Sequence, residues 1–339
     1  MNYKKMRETA RIKLKGYCRV CPVCDGRACA GEVPGMGGVG SGEGFMENVR
    51  TLSTIKLNLR TLHNVTEPDT STEFFGVKVK SPIMAAPMTN ASLNAGGAIS
   101  ELEMVSAIIQ GTTLAGGLGW IGDPADPILY ADGLESIRRA GKGVTIIKPR
   151  IDHDEILKRF EQAEKVGVVA VGIDIDGAGL VTMKLKGQAV GPKTQVQIEE
   201  LVNSVKLPFI VKGVMTVDEA VKLAETGVSA IVVSNHGGRV LDQTPGVASV
   251  LPEIAKEVKG KITVFADGGV RSGTDVLKLL ALGADGVLVG RPLMVGAFGG
   301  GIDGVKYLID KYTSELYSAM ILTGSASIND VDSRIIFNS

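Results

Sequence analysis

Short apolar runs alternate with amphipathic stretches along the chain from about residue 80 onward. The apolar runs are rich in Val, Ile and Ala, which is typical of parallel strands buried on both faces. Helical periodicity between them predicts covering helices, for instance over 154–166, 217–225 and 273–282. The predicted strands are Ile83–Ala86, Thr112–Gly116, Val144–Lys148, Val168–Asp176, Phe209–Lys212, Ala230–Ser234, Thr263–Ala266 and Gly286–Val289.

This alternation predicts an α/β fold, a (β/α)8 TIM barrel, rather than an open doubly wound sheet. Residues 1–80 lack the alternation and contain a basic amphipathic start, all four cysteines and the glycine-rich stretch Gly35–Gly44. We therefore expect an N-terminal extension and cap over 1–80 and a barrel over 81–339. The length of 339 residues suits one large α/β barrel.

Charge and hydropathy exclude several classes of partner. The chain has 37 basic and 37 acidic residues, so its formal net charge of zero argues against nucleic acid or an anionic membrane. No apolar run is long enough to span a bilayer. The basic N-terminus lacks the apolar core of a secretory signal. We expect a cytoplasmic protein with neither a nucleic-acid nor a membrane partner.

Barrel enzymes carry function at the carboxyl ends of their strands, and the last two strands end in glycine-rich turns that each contain an arginine. Backbone N–H groups approach an anion closely where glycine lacks a Cβ, and guanidinium groups add charge-assisted bonds. The alternative is two ordinary turns. The residues assigned to a phosphate site are Asp267, Gly268, Gly269, Arg271, Gly290 and Arg291.

The fifth and sixth predicted strands end in Lys212 and in a loop that carries His236 and Arg239. Imidazole accepts a proton near neutral pH, and the planar guanidinium matches a carboxylate. A lysine at the end of an apolar strand requires nearby negative charge. The alternatives are a solvated His and Arg on a surface turn and a Lys that extends from the barrel rim to water.

Several segments together resemble those of the FMN-dependent 2-hydroxy-acid oxidases and dehydrogenases, which include glycolate oxidase, lactate oxidase and mandelate dehydrogenase. The resemblance extends from about Glu47 to the C-terminus and is most specific after Phe209. The segments that carry it are Ile210–Gly213, Val233–Asp242, Phe265–Val276, Ala281–Pro292 and Met320–Ser325. The run Pro82–Met88 also resembles the family's first strand.

The resemblance implies an FMN cofactor and a role for each matching residue. His236 would be the base, with Asp176 orienting it and raising its pKa, and Arg239 would bind the substrate carboxylate. Lys212 would contact the N1/O2 edge of the flavin, and Ser234 would lie beside the isoalloxazine. Strand exits would line the cofactor, and we assign Ala86, Pro87, Met88 and Gly116 to this role.

The chain departs from the family pattern around the substrate. The family's early active-site Tyr is absent, and a second substrate-side Tyr is replaced by Lys148. A family Gln becomes Ile146, a Thr becomes Asp174, and a substrate-side Arg becomes Met183. Because Lys148 and Asp174 end neighbouring strands beside the cofactor, we expect them to form an ion pair. The alternative is two independently solvated rim charges.

The four cysteines have the spacing Cys18-x2-Cys21-x2-Cys24-x4-Cys29. Four thiolates can bind a [4Fe–4S] cluster or a tetrahedral Zn²⁺. A cluster would suit an anaerobic enzyme that passes flavin electrons onward. Zinc would suit a stiffened N-terminal flap that closes over the barrel mouth in place of the missing Tyr-bearing segment. The alternative is free or redox-active thiols on a flexible tail.

The leading hypothesis is therefore FMN-dependent oxidation of a small 2-hydroxy acid to the 2-oxo acid. The alternatives are a non-redox FMN enzyme resembling type 2 isopentenyl-diphosphate isomerase and a flavin- or metal-bearing electron-transfer protein. The electron acceptor is oxygen or a redox partner. The family resemblance also implies a homo-oligomer, a tetramer or octamer. The sequence names neither the acid nor its stereochemistry.

Overall fold

Eight parallel strands form a single barrel sheet in the computed structural model, which describes residues 1–337. Asn338 and Ser339, which end the predicted barrel region, lie outside the described residues. An antiparallel hairpin of two short strands precedes the barrel. The strands are β1 (Thr72–Phe74), β2 (Val77–Val79), β3 (Ile83–Ala85), β4 (Trp120–Gly122), β5 (Val144–Ile147), β6 (Ala170–Asp174), β7 (Phe209–Val214), β8 (Ala230–Val233), β9 (Thr263–Ala266) and β10 (Gly286–Val289).

Neighbouring barrel strands follow chain order from β4 to β10, and β10 pairs with β3. A parallel bridge between Ala85 and Gly119 links β3 to the start of β4 and closes the ring. The predicted (β/α)8 barrel is confirmed. Because all eight strands are parallel, their carboxyl ends meet at one mouth.

Helices cover the outside of the barrel and connect successive strands, with four short 3-10 helices among the loops. The α-helices are α1 (Tyr3–Lys13), α2 (Glu43–Thr54), α3 (Ala91–Ala95), α4 (Glu101–Leu114), α5 (Pro127–Ala140), α6 (His153–Lys165), α7 (Val181–Leu185), α8 (Gln195–Asn203), α9 (Val217–Ala224), α10 (Val247–Val258), α11 (Gly273–Ala281) and α12 (Arg291–Thr323). None of the helices within residues 1–337 is both long and apolar enough to cross a membrane.

One strand prediction is wrong. Thr112–Gly116 is the end of α4 and the turn after it, and the strand lies at Trp120–Gly122. A capping box at Ser100 starts α4, and most of the helix is buried, so its sequence lacks amphipathic periodicity and resembles a strand. Gly116 therefore precedes its strand, and its carbonyl accepts a hydrogen bond from the Lys80 N–H, at the end of the barrel opposite the mouth.

Aromatic side chains fill the barrel interior. Trp120 and Phe265 meet edge to face with ring centroids 5.4 Å apart, and Phe74 of the hairpin packs on Phe265 at 5.0 Å. All three are buried. Such rings contribute large apolar area and directional contacts, so the interior is a packed core and leaves only the mouth for a ligand.

The N-terminal residues pack on the outside and across the mouth of the barrel. Helix α1 lies along α12, where Tyr3 and Tyr307 stack at 6.2 Å. Arg7 of α1 donates hydrogen bonds to the carbonyls of Val20 and Cys21 and so anchors the cysteine-bearing loop. The division of the chain at residue 80 stays a prediction.

Candidate active site

A cavity opens at the carboxyl ends of the barrel strands. Its walls combine strand exits with residues from the N-terminal segment that lies over the mouth. It is the natural place for a cofactor and substrate in this fold. The predicted site residues that line it are Ala86, Pro87, Met88, Lys148, Lys212, His236, Arg239, Asp267, Gly268, Gly269, Arg271, Gly290 and Arg291.

Three other predicted residues lie next to the cavity without lining it. Ser234 and Asp174 are buried behind the wall, where each is bonded to a lysine that lines it. Asp176 lies behind His236. Gly116 lies at the opposite end of the barrel and is not part of this site, because the strand that it was expected to end begins after it.

His236 is held by Asp176. The His236 Nδ1 atom lies 3.0 Å from Asp176 Oδ1 and 3.9 Å from Asp174 Oδ2. This contact orients the ring and leaves Nε2 for the cavity. His236 has a φ of 57°, a left-handed conformation that is strained for a residue with a side chain and that occurs at functional sites.

The pKa of His236 is lowered, not raised as the sequence led us to expect. Burial is the main cause, since it disfavours the charged imidazolium. The ammonium groups of Lys212 and Lys148 lower the pKa further, and together these effects outweigh Asp176. A neutral imidazole is the form that accepts a proton, so the surroundings favour a base.

Asp176 approaches Lys212 and His236 because Gly213 makes room for it. A Cβ at residue 213 would lie 2.4 Å from the Asp176 carboxyl carbon, and Gly213 has a φ of 98°. The register of β7 against β8 shifts between Lys212 and Val214, which is a bulge at this point. Burial raises the pKa of Asp176, but His236 and Lys212 outweigh it and lower the pKa to about 2.

Lys212 stays charged although it is buried. Its Nζ donates to Ser234 Oγ at 3.1 Å and lies 3.8 Å from Asp267 Oδ2. Burial lowers the pKa of Lys212, but three carboxylates, Asp176 foremost, raise it above its ordinary value. An ammonium group therefore stands at the cavity wall, where it can stabilise an anion.

Lys148 and Asp174 form the predicted ion pair. Lys148 Nζ lies 2.5 Å from Asp174 Oδ2, and both side chains are less than a tenth exposed. Behind them Asp123 accepts a bond from the Lys148 N–H and binds the guanidiniums of Arg150 and Arg159. The pair is therefore a fixed feature of the site and not two solvated rim charges.

Three arginines, Arg239, Arg271 and Arg291, line the cavity, and none has a carboxylate partner within residues 1–337. Arg239 donates to the carbonyls of Gly35 and Gly37, and Arg291 to those of Met36 and Gly37. Burial lowers the pKa of Arg239 to about 10, and burial with the other two arginines lowers the pKa of Arg291 to about 9. Both remain cationic at neutral pH, so the cradle attracts an anion.

Residues 18–42, which we call the N-terminal cover, supply these carbonyls and lie over the mouth. The Val39 N–H donates to the Gly238 carbonyl, and Ser41 binds Asp242. The predicted flap is therefore in place over the barrel, in a region where the family has its Tyr.

The cofactor that the resemblance implies can be tested against unsatisfied groups in the wall. Asp267 Oδ1 is buried without a hydrogen-bond partner, which suits a hydroxyl donor such as those of a ribityl chain. Beside it the glycines at 268 and 269 have positive φ and leave the Arg271 turn open to an anion. The donor set fits FMN: a cationic phosphate cradle, an acceptor for a polyol, and the Lys212 ammonium farther along the wall.

The fold and these groups define a flavin-dependent barrel oxidoreductase. The family model described as FMN-dependent dehydrogenase matches residues 35–182 and 181–338. The peroxisomal (S)-2-hydroxyacid oxidase GLO3 of Arabidopsis thaliana is 32% identical over 84% of this chain and 85% of its own length. L-lactate oxidase of Lactobacillus jensenii is 30% identical over 85% of this chain and 76% of its own. Mandelate oxidase bound to (S)-2-phenylpropionate superposes with a TM-score of 0.79 at 28% identity, covering 99% of this chain and 97% of that one.

The chain belongs to the FMN-dependent dehydrogenase family. It is an FMN-dependent oxidoreductase of the 2-hydroxy-acid oxidase and dehydrogenase class.

Sequence reasoning missed several residues that complete the site. Asn94 binds the Arg239 guanidinium, and Gly122 lines the cavity where Gly116 was expected. Asn48 binds Asn235 and fastens α2 beneath the His236 loop. Gly122 could have been predicted from the sequence, because it ends the apolar run after Leu118. The two asparagines carry no local signal, since their partners lie far away in the chain.

Proposed function

We propose that this protein oxidises a small 2-hydroxy acid to the 2-oxo acid, with FMN as the electron acceptor in the site. The observation that carries the proposal is the His236–Asp176 pair at the cavity wall, three residues from Arg239 on the same loop. A base and a carboxylate-binding cation at one small cavity are what removal of hydrogen from a 2-hydroxy acid requires.

The bound FMN supplies a two-electron acceptor. His236 takes the hydroxyl proton at Nε2, and Asp176 stabilises the imidazolium that forms. Arg239 binds the substrate carboxylate with the donors that the cover carbonyls leave free, since a guanidinium has five N–H groups. Lys212 stabilises negative charge on the pyrimidine edge of the flavin. The N-terminal cover excludes water from the reacting groups.

We assign the cofactor contacts as follows. The backbone at Ala86, Pro87 and Met88, with Ser234 and Lys148, would hold the flavin ring. Asp267 binds the ribityl chain through the oxygen that is otherwise unpartnered. The phosphate contacts are Gly268, Gly269, Arg271, Gly290 and Arg291.

The substrate is a 2-hydroxy acid, but the contacts around it differ from those implied by the family resemblance. Lys148 and Asp174 stand where the family has Tyr and Thr, and Met183 stands where it has a second substrate-side Arg. The buried Met183 contributes no charge, so Arg239 is the remaining cation of the carboxylate site. We therefore do not assume that lactate, glycolate or mandelate is the substrate, and these three acids are the first to test.

The four cysteines are proposed as a metal site, iron–sulfur or zinc. All four thiols are free and line one small cavity under the cover. Burial raises the pKa of Cys18 and raises that of Cys29 to about 11. Reactive thiols have lowered pKa values, so this argues against Cys18 and Cys29 as reactive thiols. The acceptor after FMN, the cytoplasmic location and the tetrameric or octameric assembly remain proposals, and light scattering tests the last.

Anaerobic flavin bleaching tests the main proposal. Protein with bound FMN is mixed with glycolate, with each enantiomer of lactate and with each enantiomer of mandelate, and the flavin absorbance is followed. Bleaching by at least one acid, with the matching 2-oxo acid as product, is the expected result. Tightly bound FMN that none of these acids bleaches would refute the assignment for these substrates and favour the non-redox alternative.

A further inference from the structure

The cysteine cavity and the flavin cavity are neighbours. Met36 and Arg291 line both of them. Arg271 also lines the flavin cavity, yet its guanidinium donates to the carbonyl of Cys24 and to Cys24 Sγ, 3.4 Å away. A single layer of side chains therefore separates the thiols from the phosphate cradle.

The arrangement of the thiols distinguishes between the two metal centres. A tetrahedral Zn²⁺ with Zn–S bonds of about 2.3 Å brings its sulfurs to about 3.8 Å from one another. Within residues 1–337, no three cysteine sulfurs lie within 4.8 Å of one another, although all four face one cavity. A cubane cluster accommodates sulfurs that lie farther apart than those around a single zinc ion, because each sulfur binds a different iron at a different corner.

The surroundings of the cavity are those of an anion. Four thiolates outweigh the positive charge of a [4Fe–4S] core, so the ligated cluster is negative. Arg7, Arg19 and Arg291 line the cavity with one carboxylate, Asp25, and Arg19 is paired with Glu32 outside the cavity. The Val20 N–H donates to Cys18 Sγ at 3.4 Å, and hydrogen bonds to sulfur are among the features that tune cluster potentials.

Turns in the loop bring the thiols to the same side. Val20 has a φ of 47° and Gly26 a φ of 96°, so the chain reverses between the cysteines. A Cβ at Gly26 would lie 2.9 Å from the Phe45 ring, which is another wall of the cavity. The loop is thus packed on the barrel and is not a free tail.

We infer that Cys18, Cys21, Cys24 and Cys29 hold a [4Fe–4S] cluster that takes electrons from the flavin one at a time. This inference rests on the proposed metal site and hydroxy-acid oxidation. Each substrate delivers two electrons to the flavin and two protons to the protein and water. Each electron lowers the charge of the cluster core by one, and a one-electron carrier protein then reoxidises the cluster. This cycle occurs twice per substrate.

The outer surface indicates the charge of that carrier. Residues 1–29 contain eight lysines and arginines and two acidic residues, in a chain whose net charge is zero. Lys4, Lys5, Arg11 and Lys13 are exposed on α1. An acidic carrier would be attracted to this region, and its association would weaken as salt is added.

Metal analysis of anaerobically purified protein tests the cluster. We expect about four iron and about four acid-labile sulfide per chain, and an electron paramagnetic resonance signal after reduction with dithionite. Cys21→Ser should lose the iron and the signal. Val23→Ser, an exposed change two residues away, should keep both. Zinc in place of iron, or no metal after anaerobic reconstitution with iron and sulfide, would overturn the inference whether or not the variants fold.

Rapid mixing tests the electron exit. With a 2-hydroxy acid that bleaches the flavin, we expect the reduced-cluster signal to follow bleaching. In Cys21→Ser, reduction of an acidic rubredoxin should fall at least tenfold relative to the rate of flavin bleaching. A cluster that stays oxidised beside a reduced flavin would refute the exit role.

Photoreduction of the flavin separates the two proposals. Light with a sacrificial donor delivers electrons to the flavin without a hydroxy acid. If the cluster is reduced this way in a protein that no 2-hydroxy acid bleaches, the substrate proposal fails and the cluster inference stands. If the acids bleach the flavin and iron is absent, the cluster inference fails and the substrate proposal stands.

Discussion

Two sides of the same cavity differ in what their strand exits carry. The exits of β7 to β10, which we call the reaction side, carry Lys212, His236 and the arginine cradle, as the family resemblance implies. The exits of β5 and β6, the substrate side, carry Lys148 and Asp174 in place of Tyr and Thr. If the proposed roles hold, the comparison teaches that the groups for electron and proton removal can be retained while the surroundings of the substrate change.

The largest effect is expected on the reaction side. His236→Gln removes the base and should slow flavin reduction by about 10²- to 10⁴-fold, measured by anaerobic stopped-flow bleaching. His63→Gln, the same change at an exposed histidine, is the control. If bleaching survives His236→Gln at full rate, the base assignment is wrong.

The substrate side is expected to show its effect in stability. Lys148→Met leaves Asp174 buried and unpaired, which should lower the free energy of unfolding by about 3 kcal/mol. Adding Asp174→Asn should recover part of that loss, because the uncompensated charge is gone. Denaturant unfolding of the two single variants and the double variant measures the coupling. A loss in the double variant equal to the sum of the two single-variant losses would mean that the pair is not coupled.

Arg239 contributes on the reaction side through binding. Arg239→Lys keeps the charge but loses the planar fork, so we expect kcat/KM for the acid to fall about tenfold, mainly through KM. Arg138→Lys, at an exposed ion pair on α5, is the matched control. An unchanged KM would show that the carboxylate binds elsewhere.

The smallest effect is expected on the pH dependence of kcat/KM, where residues from both sides act on the pKa of His236. The folded-state pKa of His236 lies below its ordinary 6.5, so kcat/KM for flavin reduction should hold down to pH values below 6.5 and then fall as the imidazole is protonated. Lys148→Met removes a positive charge near His236, so the fall in kcat/KM should begin at a higher pH. Asp176→Asn should move it to lower pH. If the pH at which kcat/KM falls is the same in both variants as in the unchanged protein, the group that titrates is not His236.

Much of the reaction side was predictable because its signals are local. Lys212 ends an apolar strand, His236 and Arg239 lie on one loop, and the two glycine-rich turns follow the last two strands. The second predicted strand, Thr112–Gly116, was misplaced because the buried α4 lacks an amphipathic period. The direction of the His236 pKa was also wrong, because it depends on the depth of burial and on Lys148, a residue from another strand.

The sequence by itself determined the alternation that makes a parallel barrel, the order of the exits around the mouth and the chemical groups that each exit carries. The tertiary structure decided between a Lys148–Asp174 ion pair and two solvated charges. It alone showed that the cover carbonyls meet Arg239 and Arg291 and that the cysteine cavity lies beside the phosphate cradle. The physical reason is the distance along the chain over which each effect acts. Hydrophobic periodicity and turn chemistry act over a few residues, whereas burial and charge pairing depend on segments that lie far apart in the chain.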